Sequence, residues 1–266
     1  MKKILSVLFV VLLALGLVAC SSNEEETTND DSDADSNVVT ISVGTSPDYA
    51  PYESLNTDNE IVGFDVEMLK LFETYLSEEY GTEYEFSLVS MDFDNIITQI
   101  QGDQVDIGVS GFSYSEEREE AVSFSEPYCL SKQVVLVLAD SEYESVDELE
   151  GKVLAAQTGT TGEYAAQDLV GEENVSSIQS VLDMIPGLDA QQYDAVVLDS
   201  AVANSYAATG KYKVLPEELV NEANYIVVKK GNEEMLDTIN FCIEKFVASD
   251  EYKTLCEEYQ LSPVEE

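Results

Sequence analysis

Between residues 38 and 208, short β-rich runs and helical patterns alternate, and this limits the fold of the chain more than any other feature. VVTISVG at 38–44 precedes a helical face carrying Leu69, Phe72 and Leu76; EYEFSLV at 83–89 precedes DNIITQI; DIGVSG follows at 106–111. A second set begins with KQVVLVLA at 132–139, a short helix in SVDELEG and KVLAAQ at 152–157. It continues with a helix from Thr161, a helical stretch through Val181 and Leu182, DAVVLD at 194–199 and SAVANSYAA at 200–208. Strands separated by helical crossovers run parallel and are covered by those helices, so the expectation is an α/β chain built from two such units.

One more strand, NYIVVKK at 224–230, and two helices close the chain. If they pack back on the first unit, the chain passes between units twice. The expected division is lobe 1 at 38–128 plus 230–266, lobe 2 at 133–224, and hinges at 129–132 and 225–229. The 229 residues from Val38 onward suffice for two cores of ordinary size. Ligands of open α/β sheets sit beyond the carboxyl ends of the strands, so a cleft should be lined by residues just after them.

The leader reads differently. Met1-Lys2-Lys3 is followed by an apolar run at 4–19, the pattern of a signal peptide at 1–19. That run is shorter than the roughly 20 residues a helix needs to span a bilayer. Its end, Leu17-Val18-Ala19-Cys20, resembles the lipobox of bacterial lipoproteins, which implies lipidation of Cys20 and attachment to the outer face of the cell membrane. Residues 21–37 are polar and acidic and have too little apolar surface to offset the entropy of ordering. Residues 20–37 are therefore expected to be a lipidated cysteine and a disordered tether.

Composition excludes several classes of chemistry. The net charge of −42 opposes nucleic-acid binding, which requires a basic footprint. There is no histidine, which removes Ser-His-Asp and Cys-His catalysis and histidine metal ligands. Cys129, Cys242 and Cys256 form no C-x-x-C. Cys242 and Cys256 fall on apolar helical stripes and are expected to be free core thiols; a bridge between them is the alternative an oxidising compartment permits. No metal or cofactor is expected, and a monomer is the default.

The segments after the strands carry aromatics, hydroxyls, one arginine and one acid. Arg118 follows the Ser110-Gly111-Phe112-Ser113 loop, and a guanidinium can hold a carboxylate through two parallel hydrogen bonds. A surface pair with Glu116, Glu117 or Glu119 is the alternative. Gly159-Thr160-Thr161 opens a helix and offers backbone N–H groups to an anion, or simply a threonine cap. Asp199 ends DAVVLD, where it has the charge to hold an ammonium or can cap the next helix. Tyr49 and Phe93 offer flat walls to a side chain, or core packing. One cation and one anion in a closing cleft suit a zwitterion, because buried charges need partners. An α-amino acid is such a zwitterion.

VGTSPDYAPYE, VGFDVEMLKLF, MDFDNIITQIQGDQVDIGVSGFSYSEEREEAVSFSEPY, GKVLAAQTGTTGEY and YDAVVLDSAVA together resemble the family 3 solute-binding proteins of bacterial ABC importers, the polar amino-acid receptors. The resemblance implies a two-lobed periplasmic-binding-protein fold of type II with two hinge strands and a ligand cleft between the lobes. It implies a lipid-anchored receptor, not an enzyme, that passes a free amino acid to a permease. By motif position it puts Arg118, Ser113 and Thr161 on the ligand carboxylate, and Asp199, Ser110 and the Gly111 backbone near the amine. Tyr49, Phe93 and Gln157 would meet the side chain. Ser46 stands where many relatives carry Asp, which makes it a possible specificity position and weakens a strictly basic-ligand reading. An exported dehydratase acting on arogenate-like (cyclohexadienyl) substrates uses the same fold and is the alternative.

Overall fold

The computed structural model describes residues 38–264; the leader, Cys20 and the tether lie outside the described residues. The chain runs β1 (Val39–Thr45), β2 (Asp48–Tyr49), β3 (Glu53–Leu55), β4 (Ile61–Val62), α1 (Phe64–Tyr80), β5 (Tyr84–Ser90), α2 (Phe93–Gln101) and β6 (Ile107–Ser113). It continues through α3 (Glu116–Ala121), β7 (Val122–Leu138), β8 (Leu154–Gln157), α4 (Thr161–Val170), β9 (Val175–Ile178), α5 (Val181–Asp189) and β10 (Ala195–Asp199). The last elements are α6 (Ser200–Ala207), β11 (Tyr212–Lys229), α7 (Glu233–Val247) and α8 (Asp250–Tyr259). Among the described residues no helix is long and apolar enough to cross a membrane.

Eight strands form one sheet in the order β5-β1-β6-β11-β7-β10-β8-β9, while β2, β3 and β4 make a small separate sheet. The two ends of the main sheet are parallel trios, β5-β1-β6 and β10-β8-β9, as the alternating pattern predicts. They are joined only by β7 and β11, which run antiparallel to each other along most of their length. Buried strands such as β10, AVVLD, are continuous apolar runs because helices cover both faces. The expected short helix in SVDELEG is a single 3-10 turn at Val146–Leu149.

The second crossing differs in position from the sequence expectation. Residues 225–229 were expected as a hinge, yet Tyr225, Val227 and Val228 already pair with β6 in the first half of the sheet. Opposite Leu130–Gln133 of β7 lie Val220 to Ala223 of β11. NYIVV is only the buried end of an 18-residue strand whose earlier half is largely half-exposed and polar. That earlier half has no alternating apolar pattern from which a strand can be read.

The terminal helices pack on α1, with Phe246 of α7 5.9 Å from both Phe64 and Phe72 and Tyr259 of α8 6.0 Å from Phe64. The α7 stripe buries Ile239, Cys242, Ile243 and Phe246 at helical spacing. All three described cysteines are free and buried, as expected for Cys242 and Cys256. Burial pushes the Cys242 thiol up to about 12, whereas Cys256 meets Cys129 on β7 rather than Cys242.

Candidate functional site

Eight of the residues singled out from the sequence, Tyr49, Phe93, Ser110, Gly111, Ser113, Arg118, Gln157 and Thr161, line one narrow space. They arrive from both halves of the sheet. Tyr49 is on β2, and Ser110 to Ser113 end β6; Phe93 and Arg118 sit on α2 and α3. Gln157 ends β8, and Thr161 opens α4. The β6 end can turn into the cleft because Gly111 has φ 56, a left-handed conformation costly for other residues, with the Tyr49 ring packed against it.

Arg118 is 7% exposed. Its Nη1 donates to the Ser113 carbonyl at 2.6 Å and its Nη2 crosses to the Gly159 carbonyl at 2.8 Å. The guanidinium carbon lies 5.2 Å from the Phe93 ring centre and 5.4 Å from that of Phe112, and the two rings stack at 4.6 Å. Among the described residues no carboxylate comes within ion-pair distance of it. The surface-pair alternative does not hold: Glu117 accepts from Tyr164 at 2.9 Å and Glu119 from Tyr114 at 2.6 Å. Burial lowers the Arg118 pKa while the charge of Glu222 opposes that shift, but a guanidinium stays protonated in proteins.

At the opening of α4 the capping alternative holds for Thr160, whose hydroxyl accepts from the Glu163 N–H at 3.1 Å. The Gly159 N–H is taken by the Glu163 carboxylate at 2.7 Å, so it is not among the donors open to an anion. Thr161 is left facing the space, with its hydroxyl 3.2 Å from Glu222 Oε1.

Asp199 does not line the space; it lies directly behind Tyr49, whose hydroxyl accepts the Asp199 N–H at 3.3 Å. It caps α6 by accepting from the Ala201 N–H at 2.8 Å, and it also receives the Ser131 hydroxyl and the Tyr52 hydroxyl, the latter at 3.2 Å. Burial pushes its carboxyl up to about 6, against the pull of Ser131 and the Ala201 N–H.

Ser46 is buried and is not among the residues lining the space; it donates to Asp48 Oδ1 at 3.0 Å. Asp48 itself crosses between the halves: its Oδ2 accepts from the Ser180 hydroxyl at 2.7 Å, the Val181 N–H at 2.9 Å and Gln157 at 3.4 Å. The carboxylate thus meets the N-terminus of α5, where the helix dipole favours negative charge. Sequence reading missed Asp48, and it missed Gln133 and Glu222. Gln133, on β7, donates to Glu222, on β11, at 2.6 Å at the back of the space. A polar residue within the apolar KQVVLVLA run was the available signal for Gln133; nothing marked Glu222 among so many acids.

A model of the bacterial extracellular solute-binding proteins, family 3, matches residues 41–262. The chain belongs to that family. It is 28% identical over 260 residues to the arginine-binding extracellular protein ArtP of Bacillus subtilis, covering 96% of each chain. It is 26% identical to a probable histidine-binding protein of Campylobacter jejuni, covering 98% of this chain and all of that one. A crystal structure of a mutant of ArgBP from T. maritima superposes with a TM-score of 0.75 at 32% identity, over 83% of this chain and 95% of that one. The fold is therefore the α/β periplasmic-binding-protein fold, and, like its family, the chain is a binding protein and not an enzyme. That sets the dehydratase alternative aside.

Proposed function

We propose that the chain is an extracytoplasmic receptor that captures a free α-amino acid and presents it to an ABC importer. The observation carrying this reading is Arg118, a buried guanidinium facing the space with no carboxylate partner among the described residues. A buried charge is costly unless paired, and a ligand carboxylate supplies the pair with two parallel hydrogen bonds. Ser113 and Thr161 flank that carboxylate. Asp199 and Ser110 serve the ammonium, with the Gly111 backbone beside them, and Asp199 reaches it by a small shift of the Tyr49 ring. Tyr49 and Phe93 bracket the side chain, and Gln157 lies at its end.

The ligand side chain is cationic in this reading, arginine before histidine. Beside one arginine stand two acids, Asp199 and Glu222, and the ligand ammonium answers only one of them. The names of the relatives point the same way. Ser46 removes one acid from the usual position, but Asp48 stands two residues further on, so the earlier objection to a basic ligand loses its weight. A thermal-shift screen of the free amino acids is the test, since a ligand bound only by the native state raises its melting temperature by mass action. Arginine is expected to give the largest shift. Shifts from acidic amino acids alone, or from none, would reject the reading.

Lobe 1 comprises residues 38–129 and 224–264 and lobe 2 residues 134–219, hinged where Leu130–Gln133 of β7 faces Val220 to Ala223 of β11. Ligand touching one lobe draws the other over it, and the contacts that exist only in the closed state set the closing free energy. The receptor is held to the membrane through lipidated Cys20 and the 21–37 tether. Cys20→Ala is expected to move the protein from the membrane fraction to the medium or periplasm; a variant still pelleting with membranes rules the anchor out.

A further inference from the structure

Two carboxyl groups lie under the Ser110-Gly111 turn and belong to no ion pair among the described residues. Glu53, on β3, is 0% exposed, and Asp65, in the first turn of α1, is 2% exposed. Glu53 Oε1 accepts from the Ser110 hydroxyl. Asp65 Oδ2 accepts from the Tyr128 hydroxyl at 3.2 Å, and the Gly111 N–H also favours its charged form. The other two oxygens, Glu53 Oε2 and Asp65 Oδ1, are buried and receive no donor from any other described residue. The two side chains are in hydrogen-bonding contact with each other.

An ionised carboxylate only accepts, so two of them in contact would repel and leave both oxygens orphaned. One proton between them removes both defects, because one oxygen becomes a donor and the other its acceptor. The environment offers no other remedy. The charged and titratable groups facing the pair are Asp48, Asp199, Tyr128 and Cys129, none of them a cation.

We propose that Glu53 and Asp65 share one proton, and that Glu53, held in this way, is a positioning residue for the cleft: it takes the Ser110 proton so that Ser110 can only accept from the ligand. The Ser110 oxygen also receives the Ser46 N–H at 3.3 Å, which leaves one lone pair for the cleft. An acceptor at that position suits an ammonium and rejects a second carboxylate. Burial agrees with a retained proton, raising Asp65 to about 7 and Glu53 well above the usual carboxylate range. The ammonium half of the proposal rests on the amino-acid reading above; the shared proton does not.

The test pairs two variants. In Glu53→Gln the amide N–H faces Asp65 and the amide oxygen faces Ser110, which supplies the donor permanently. Denaturant unfolding at a series of pH values reads the proton. Above about pH 5 the unfolded carboxyls are bare while the native pair keeps a proton, so wild-type stability falls as pH rises towards about 7. That fall is expected to flatten in Glu53→Gln, with affinity for the amino acid within about threefold of wild type. Glu53→Leu, with its fold checked by circular dichroism, is expected to bind the amino acid about tenfold more weakly or worse, while binding of the des-amino carboxylate analogue is unchanged. A wild-type pH slope in Glu53→Gln would overturn the shared proton, and wild-type affinity in a folded Glu53→Leu would overturn the positioning role. If Glu53→Leu does not fold, the Glu53→Gln slope decides. A wild type that binds no amino acid refutes the functional reading and leaves the slope to be judged separately.

Discussion

Arg118→Ala is expected to abolish measurable amino-acid binding in a calorimetric titration. Truncating one member of a buried, hydrogen-bonded charge pair costs about 2–5 kcal/mol or more, which is roughly 30-fold to several thousand-fold in affinity. The upper part of that range applies here, because the guanidinium has already been stripped of water by Phe93, Phe112 and the two carbonyls that hold it. Those carbonyls also orient it, so under the proposed function a ligand carboxylate would meet a preset fork. Arg118→Lys should recover only part of the loss, since an ammonium is a point charge without the parallel donor geometry. Wild-type affinity in a folded Arg118→Ala protein would show that the carboxylate is held elsewhere.

Acid should weaken binding through Asp199. Its carboxyl is raised to about 6 by burial, and only its ionised form attracts an ammonium. Protons and ligand therefore compete, and affinity should fall as pH drops through about 6, approaching tenfold per unit until the ligand-bound form also titrates. Asp199→Asn should remove this pH dependence and bind about two orders of magnitude more weakly at pH 7, because an amide cannot answer the positive charge. The N-cap should survive, since the amide oxygen still accepts from the Ala201 N–H. A flat affinity between pH 7 and pH 5 in the wild type would place the ammonium away from Asp199. The contact with Ser131 ties the same carboxylate to β7 at its hinge segment, so occupancy of the cleft and the state of the hinge share a group.

Much of the lining of the candidate site was legible because ligands of open α/β sheets sit beyond strand ends, and the sequence shows which residues follow the strands. Ser110, Gly111, Ser113 and Gln157 lie at the ends of β6 and β8, and Arg118 stands out in a chain with 12 basic residues and 54 acidic ones. Asp199 was legible in charge and cap but not in depth: its separation from the space by Tyr49 depends on where two sheet halves meet. Asp48 and Glu222 were invisible for a related reason. Each is tied to partners far away in sequence, Ser180 and Val181 for one, Gln133 and Thr161 for the other.

The alternation of strand and helix patterns by itself determined two α/β units, because side-chain periodicity is a local property of each segment. The apolar stripes of α1, α7 and α8 likewise determined which faces would be buried. Tertiary structure alone decided that one continuous sheet carries both units, that its crossing on β11 comes at Val220 to Ala223, and that Cys256 meets Cys129. It also brought Glu53 and Asp65 together beneath Ser110. Those outcomes depend on strand register and on distances between segments remote in sequence, and no local pattern records either.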